Sequence, residues 1–178
     1  MKINDLERID RKRMFETYDN WPEIAASAFE TEIEKIDIKD IDHIVFAGVG
    51  GSGSLGDVMN SILSKEDIHV SVVKGYHLPK TIDSNSLVIT TSVSGNTKET
   101  LSILEDAFKS NAKIASFSSG GIMREFCEKN NIFHQNIPMI HSPRASFPKF
   151  LFTILKSLGE IIPIKDKDME EAIRNLEK

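Results

Sequence analysis

From residue 41 onward the chain alternates short apolar runs with longer segments of helical spacing. The first run, HIVFAG, is rich in β-branched and aromatic residues and stops at Gly48, which is typical of a buried parallel strand. Since crossovers between parallel strands are right-handed and cover both faces, we expect an α/β fold, a three-layer sandwich around a parallel sheet. The same pattern predicts further strands at 69–73, 87–91, 113–117 and 132–135, and helices at 54–63, 97–109 and 122–129.

Helical spacing also predicts helices on both sides of this alternating region. Asn4 and Glu7 are spaced as a capping box for the first helix, and the Trp21-Pro22 pair is interpreted as a break before the second. The last two helices differ in character, because one is strongly apolar and the other is charged and amphipathic. The predicted helices span 4–18, 24–36, 146–161 and 165–178.

Composition narrows the classes of function. A length of 178 residues suits one well-buried domain, and a net charge of −5 gives no reason to expect nucleic acid as a partner. The sequence contains no run of about 18 apolar residues that would predict a membrane span, and its charged start lacks a signal-peptide pattern. We therefore expect a cytoplasmic protein. The single cysteine, Cys127, excludes an internal disulfide and a thiolate metal cluster, and we interpret it as a structural helix residue.

Two glycine- and serine-rich loops follow predicted strands and precede predicted helices. They are GVGGSGS at 48–54 and SVSGNT at 92–97. Glycines allow the backbone to approach a ligand, hydroxyls donate hydrogen bonds, and a helix N-terminus favours an anion. Because ligands in such sheets bind beyond the carboxyl ends of the strands, the two loops predict one anion pocket.

The first loop also matches G-x-G-x-x-G, the dinucleotide-binding fingerprint. A dinucleotide site requires an acidic residue after the next strand to hold the ribose hydroxyls, and Lys74 occupies that place. Lys74 could pair with a 2′-phosphate, so an NADP-dependent oxidoreductase stays open as an alternative. The loop is not a P-loop, because Ser54 and Leu55 follow Gly53 where Lys and Ser or Thr are required.

The second loop favours a phosphate monoester. A tight turn at Gly95 could direct the hydroxyls of Ser92, Ser94 and Thr97 inward, while Asn96 and Glu99 have capping-box spacing for the next helix. The alternative is that serine, asparagine and glycine are simply the usual residues of turns and caps. That alternative weakens because Ser52 lies on the other loop. Neutral donors suit a small sugar phosphate bound by an acidic protein.

Five motifs together resemble the first sugar-isomerase (SIS) domain of the archaeal-type bifunctional phosphoglucose/phosphomannose isomerases. They occur in the order GVGGSGSLGD, VKGYHLP, TSVSGNTKETL, SFSSGG and SPRASFP. The resemblance implies a five-stranded, flavodoxin-like sheet. It also implies aldose–ketose isomerisation between glucose 6-phosphate or mannose 6-phosphate and fructose 6-phosphate, with no metal or nucleotide cofactor.

The resemblance also implies roles for individual residues. Arg144, in SPRAS, corresponds to the arginine beside the reacting carbons, where a fixed guanidinium would stabilise an enediolate; the alternative is a surface ion pair. Val93 departs from the family, in which many members have an aromatic residue there. The implied phosphate binders are Gly51, Ser52, Ser92, Ser94 and Thr97, and the implied loop-shaping residues are Gly50, Gly53, Gly95 and Asn96.

The proton-transfer groups are not found in this sequence. In the family that it resembles, a glutamate, a histidine and a lysine in a second SIS domain open the sugar ring and carry the proton. In this sequence His141 is the histidine near Arg144, and we interpret it as a solvated loop residue instead of a catalytic group. We therefore expect half of an isomerase, or alternatively a non-catalytic sugar-phosphate-binding or regulatory module. We expect it to form a homodimer or to pair with a second SIS domain. The expected parts are N-terminal helices packing on the domain at 1–40, the SIS domain at 41–162, and a C-terminal helix at 163–178 that begins a linker.

Overall fold

Five parallel strands form a single sheet in the computed structural model, which describes residues 9–36, 38–162 and 164–177. The strand order is β2-β1-β3-β4-β5. This is the flavodoxin-like order, so the expected five-stranded α/β sheet is confirmed. The strands are β1 (His43–Ala47), β2 (His69–Val73), β3 (Ser86–Ser92), β4 (Lys113–Ser118) and β5 (Phe133–Asn136).

The strand order reverses between β1 and β3, the two central strands. Every residue of both strands is buried, and Ala47 lies opposite Thr90 near their carboxyl ends. Buried strands of a parallel sheet are apolar without alternation, as HIVFA is here. The two glycine-rich loops leave the sheet from these adjacent strands, at the place where open α/β sheets bind ligands.

Helices cover both faces of the sheet and complete the three-layer sandwich. On one face α2, α3, α6 and α7 enclose the larger core, in which Phe46, Phe117 and Phe150 are at most 4% exposed. On the other face α4 and α5 pack through Ile103 and Met123. The helices are α1 (Met14–Asp19), α2 (Trp21–Glu30), α3 (Gly51–Ile62), α4 (Lys98–Lys109), α5 (Gly121–Asn130), α6 (Phe147–Ser157) and α7 (Asp166–Leu176).

The predicted helix at 4–18 is wrong in part. The chain turns at Asp10 and Arg13, and Arg13 has a φ of 53° immediately before α1 begins at Met14. The side chain of Asp10 accepts a hydrogen bond from the backbone N–H of Phe15 at 2.9 Å, so this carboxylate competes with a continuous helix. The predicted capping box of Asn4 and Glu7 lies outside the described residues.

The predicted helix at 24–36 is also misplaced. α2 begins at Trp21, because proline is accommodated in the first helical turn. Backbone N–H groups there have no acceptor within the helix, so the lack of an N–H in proline breaks no hydrogen bond. The helix ends at Glu30, and residues 31–36 form neither helix nor strand; the N–H of Ile36 donates to the carbonyl of Ser157 at 2.9 Å. Ile36 is nevertheless buried, so the apolar periodicity marked core residues but not their conformation.

Both ends of the described chain pack against the sandwich. α7 places Met169 in the larger core, and α2 lies against α6. The connection from β2 to β3 contains no helix, and Leu78 and Ile82 from this connection cover the second face instead. Among the described residues, no helix is both long and apolar enough to cross a bilayer.

Candidate functional site

The first loop turns sharply from β1 into α3. Gly50 has a φ of 60°, and a Cβ on Gly48 would lie 2.8 Å from the carbonyl carbon of Ser52. A Cβ on Gly53 would lie 2.9 Å from the carbonyl oxygen of Gly48, so only glycine fits at these positions without displacing the backbone. The first N–H groups of α3, including those of Gly51 and Ser52, have no acceptor within the helix and are available to an anion.

The second loop joins β3 to α4 and holds its hydroxyls in a defined arrangement. Ser92 Oγ lies 2.8 Å from Thr97 Oγ1 and also accepts a hydrogen bond from the N–H of Gly95 at 3.1 Å. Ser92 is buried, and Gly95 has a φ of 69°. The exposed Ser94 instead accepts from the N–H of Asn96 at 3.2 Å, so two hydroxyls are paired and the third stabilises the turn.

The predicted capping box of Asn96 and Glu99 is wrong. α4 begins at Lys98 with Thr97 at its N-cap, where the structure has no side-chain cap bond. The carboxamide of Asn96 is used elsewhere, because its Oδ1 accepts from the N–H of Ile122 at 3.1 Å and its Nδ2 donates to the carbonyl of Ser94 at 3.0 Å. Asn96 therefore caps α5 instead of α4.

A third loop, residues 118–121 of the SFSSGG motif, clamps the second loop. The carbonyl oxygen of Gly120 is so close that a Cβ on Gly95 would lie 1.7 Å from it. The N–H of Ser119 donates to the carbonyl of Val93 at 3.1 Å, and the N–H of Met123 donates to the carbonyl of Gly95 at 2.9 Å. The second loop is therefore held in shape by protein contacts alone. The patterns in the sequence did not predict this contact between loops, although the Gly120-Gly121 pair was the available signal.

His134 supports the third loop from β5. Its Nε2 lies 2.7 Å from Ser118 Oγ, which donates to the carbonyl of Gly120 at 2.9 Å. Burial lowers the pKa of His134 below 6.5, and the positive charge of Arg124 lowers it further. The imidazole is therefore neutral near pH 7.

Lys74 is paired within the protein. Its Nζ lies 2.7 Å from Asp57 Oδ2 on α3, with both side chains about half exposed, and its methylene groups lie over the backbone of Gly53. A carboxylate so close competes for the lysine, and this weakens the idea that Lys74 would hold a 2′-phosphate. The described charges near the first loop thus do not favour a dinucleotide.

Arg144 lies in the turn that follows β5 and precedes α6. This places it at the same edge of the sheet as the two loops, although no described contact joins its side chain to either of them. Arg144 is exposed, and within the described part of the chain its side chain has no hydrogen bond or ion pair, while its backbone carbonyl accepts from the N–H of Phe147 at 3.3 Å. The nearby His141 is also exposed, but its Nε2 donates to the carbonyl of Lys12 at 2.9 Å.

Other reactive groups lie away from these loops. Cys127 is fully buried in α5, and burial raises the pKa of its thiol. His43 stacks on His69 at 4.2 Å at the amino end of the sheet. Within residues 9–36, 38–162 and 164–177, no three His, Cys, Asp or Glu side chains are grouped so that they could hold a metal ion.

This arrangement can be compared with known proteins. Residues 37–147 match the model of the SIS domain family. The chain belongs to the SIS domain family. A "Bifunctional phosphoglucose/phosphomannose isomerase" of Caldicellulosiruptor bescii is 39% identical to this SIS domain over 171 residues, which make up 92% of this chain and 50% of that protein.

Two further similarities extend the comparison. A "D-glucosamine-6-phosphate 4-epimerase" of Sulfolobus acidocaldarius is 30% identical over 143 residues, covering 80% of this chain and 44% of that protein. The solved C-terminal domain of a glucosamine-fructose-6-phosphate aminotransferase from Francisella tularensis superposes with a TM-score of 0.66 at 16% identity, covering 92% of this chain and 52% of that one. This SIS domain spans about half the length of the curated relatives it matches.

Proposed function

We propose that this SIS domain is the phosphate-binding half of an aldose–ketose isomerase that interconverts glucose 6-phosphate or mannose 6-phosphate with fructose 6-phosphate. The observation that carries the proposal is the hydroxyl pair of Ser92 and Thr97, 2.8 Å apart at the N-terminus of α4. Ser92 is the last residue of β3, which pairs with β1, and the glycine turn that begins α3 follows β1. The similarity to the Caldicellulosiruptor isomerase supports the substrate class.

The phosphate would be bound by neutral donors. Between Ser92 and Thr97 one hydroxyl donates to the other, so the accepting hydroxyl keeps its own hydrogen for a phosphate oxygen. The free N–H groups at Gly51 and Ser52 would bind further oxygens, and both helix N-termini favour the negative charge. Gly50, Gly53, Gly95 and Asn96 maintain the shape of the loops. Ser94 stabilises the second turn by accepting from the N–H of Asn96, and its own hydroxyl hydrogen would bind a phosphate oxygen.

Arg144 would act on the reacting carbons. Isomerisation removes a proton from one of two adjacent sugar carbons and returns it to the other, so an enediolate forms between the two steps. The charge on its oxygens develops near the transition state, where a fixed guanidinium stabilises it most. The guanidinium of Arg144 has no partner among the described residues, so its N–H donors are free for this task.

A second SIS domain would complete the site. Proton transfer and ring opening require groups that accept and donate protons, and no carboxylate lies in either phosphate loop. The shorter length of this chain relative to its curated relatives supports pairing with a second domain, or with another copy in a homodimer. In this proposal α7 begins the linker, and the protein works in the cytoplasm without a metal or nucleotide cofactor.

The second candidate is a non-catalytic sugar-phosphate-binding module. It is favoured by the absence of an acid or base in the two loops, and it shares the same phosphate site. One of the relatives is named a 4-epimerase, so proteins similar to this SIS domain have more than one named activity. An NADP-dependent oxidoreductase is a third and weaker alternative, because Lys74 is already paired with Asp57.

Calorimetric titration tests the proposed phosphate site. We expect fructose 6-phosphate to bind, inorganic phosphate to compete with it, and NADPH to leave the binding unaffected. Ser92→Ala removes one of the paired hydroxyls and should weaken binding by roughly ten- to a hundredfold, as expected for a hydrogen bond to a charged group. The matched control is Ser110→Ala at the opposite end of α4, which should leave the affinity unchanged. Tight NADPH binding without competition by phosphate would contradict the proposal.

Turnover distinguishes the two main candidates. If the chain, free of any partner, isomerised fructose 6-phosphate and Arg144→Ala abolished the rate, the site would not need a second domain, and that part of the proposal would be wrong. If addition of a second SIS domain restored no activity while sugar phosphates still bound, the non-catalytic module would be favoured. Light scattering measures the pairing, and a monomer at high concentration would argue against a homodimer.

A further inference from the structure

The amino-terminal segment contacts the turn that carries Arg144. This segment, residues 12–21, lies outside the region that matches the SIS family, which begins at residue 37. Three contacts nevertheless converge on residues 141–145, although the partners are more than 120 positions apart in sequence. The contacts are His141 Nε2 with the carbonyl of Lys12 at 2.9 Å, Ser142 Oγ with Met14 Sδ at 3.9 Å, and Trp21 Nε1 with the carbonyl of Ala145 at 3.1 Å.

The turn itself is tightly organised around two serines. Ser146 Oγ accepts from the N–H of Ile140 at 2.8 Å and lies 2.8 Å from the carbonyl of Ser142. Ser142 Oγ accepts from the N–H of Ala145 at 3.3 Å. These bonds fix the backbone on both sides of Arg144 and leave its side chain without a partner in the described residues. The backbone position from which the guanidinium extends is therefore determined by whatever holds this turn against the domain.

Trp21 provides the best-defined of the three contacts. It is the first residue of α2, its indole is half-buried, and its ring meets Tyr18 edge-on at 4.9 Å. The indole N–H donates to the carbonyl of Ala145, the residue directly after Arg144. α2 packs on α6, which begins two residues after Ala145. A rigid helix thus carries the donor, and the turn cannot move without losing this bond.

We infer that residues 12–21 position Arg144 for the proposed isomerisation, with Trp21 as the positioning residue that holds the Ala145 carbonyl. This inference rests on the proposed function, since it assigns to the segment the task of orienting the guanidinium toward an enediolate. Trp21 does not touch the substrate. Its effect is therefore specific for ligands that resemble the intermediate and leaves phosphate binding at the loops unchanged.

Two ligands separate the effects on Arg144 from those on the loops. A hydroxamate that carries the sugar's phosphate mimics the enediolate and depends on Arg144, whereas inorganic phosphate depends only on the loops. Trp21→Phe removes the indole donor and keeps an aromatic ring. We expect it to weaken hydroxamate binding by roughly three- to tenfold, the equivalent of one hydrogen bond, with phosphate binding unchanged. The matched control, Tyr18→Phe, keeps the Trp21 bond and should change neither affinity.

The outcomes distinguish this inference from the proposed function. If Arg144→Gln weakens hydroxamate binding but Trp21→Phe does not, the positioning role is wrong and the proposed function stands. If Arg144→Gln has no effect on hydroxamate binding, the proposed role of Arg144 fails, and the inference fails with it. If Trp21→Phe weakens both ligands equally, its role is general folding and the inference is overturned.

Fluorescence gives a second measurement that requires no substitution. Trp21 is the single tryptophan in the sequence, so the emission of the unaltered chain reports on this contact. We expect saturating hydroxamate to change the emission and saturating inorganic phosphate to leave it nearly constant. An emission spectrum that stays unchanged with hydroxamate would overturn the inference even if Trp21→Phe failed to fold.

Discussion

Gly95→Ala should disrupt the clamp between the second and third loops. A Cβ on Gly95 would lie 1.7 Å from the carbonyl oxygen of Gly120 and 2.7 Å from its carbonyl carbon. Both atoms are backbone, so one loop must move by more than about 1 Å to restore a van der Waals distance. Gly95 also has a φ of 69°, a conformation that costs alanine about 1–2 kcal/mol.

The movement would break the hydrogen bonds that join the loops. The acceptors are the carbonyls of Val93 and Gly95 and the side chain of Asn96, and each bond contributes about 1 kcal/mol. With the backbone cost included, we expect the free energy of unfolding to fall by about 3–5 kcal/mol. Because the displaced loop carries Ser92 and Thr97, binding of sugar phosphate should be lost as well.

Urea denaturation followed by circular dichroism measures this effect. Gly75→Ala is the matched control, because a Cβ there meets no atom within 4 Å, and it should change the free energy of unfolding by less than about 0.5 kcal/mol. A Gly95→Ala variant whose stability falls by less than about 1 kcal/mol and that still binds fructose 6-phosphate would refute the reasoning.

Two further predictions concern buried titratable groups. Burial lowers the pKa values of His43 and His134 below 6.5, and the charges of His69 and Arg124 respectively lower them further. The native chain therefore binds fewer protons than the unfolded chain, so the stability that these groups contribute is complete above about pH 6.5 and is lost as the pH falls below it. The urea concentration at the midpoint of unfolding should fall when the pH is lowered from about 7 to about 5, and His134→Asn should make this fall smaller. A midpoint concentration that rises on acidification would contradict the assignment. Cys127, whose thiol pKa is raised by burial, should react with a thiol reagent in urea but not in native buffer, and rapid native labelling would disprove its inert role.

The sequence predicted the sheet well, because its signals are local. The run from Ile44 to Ala47 is apolar throughout and stops at a glycine, and the other predicted strands lie within one residue of the observed ones. The N-terminal helices were less predictable. Pro22 can either break a helix or begin one, and the carboxylate of Asp10 competes with helix formation through a contact that spacing does not reveal.

The site was predictable in its parts but not in its contacts. The two loops follow from glycine and serine patterns, yet Asn96 caps α5, 26 positions further along the chain, and this depends on how α4 and α5 pack. The contact of Trp21 with Ala145 spans 124 positions. Such contacts between distant segments carry no periodic signal in a single sequence.

The proposed phosphate site between the two loops is tested most directly by nuclear magnetic resonance. In a ¹⁵N-labelled chain titrated with fructose 6-phosphate, the account predicts that the largest amide shifts occur at Gly51, Ser52 and residues 94–97, and that inorganic phosphate reproduces them. Largest shifts elsewhere in the chain, or no shifts at saturating ligand, would contradict the account.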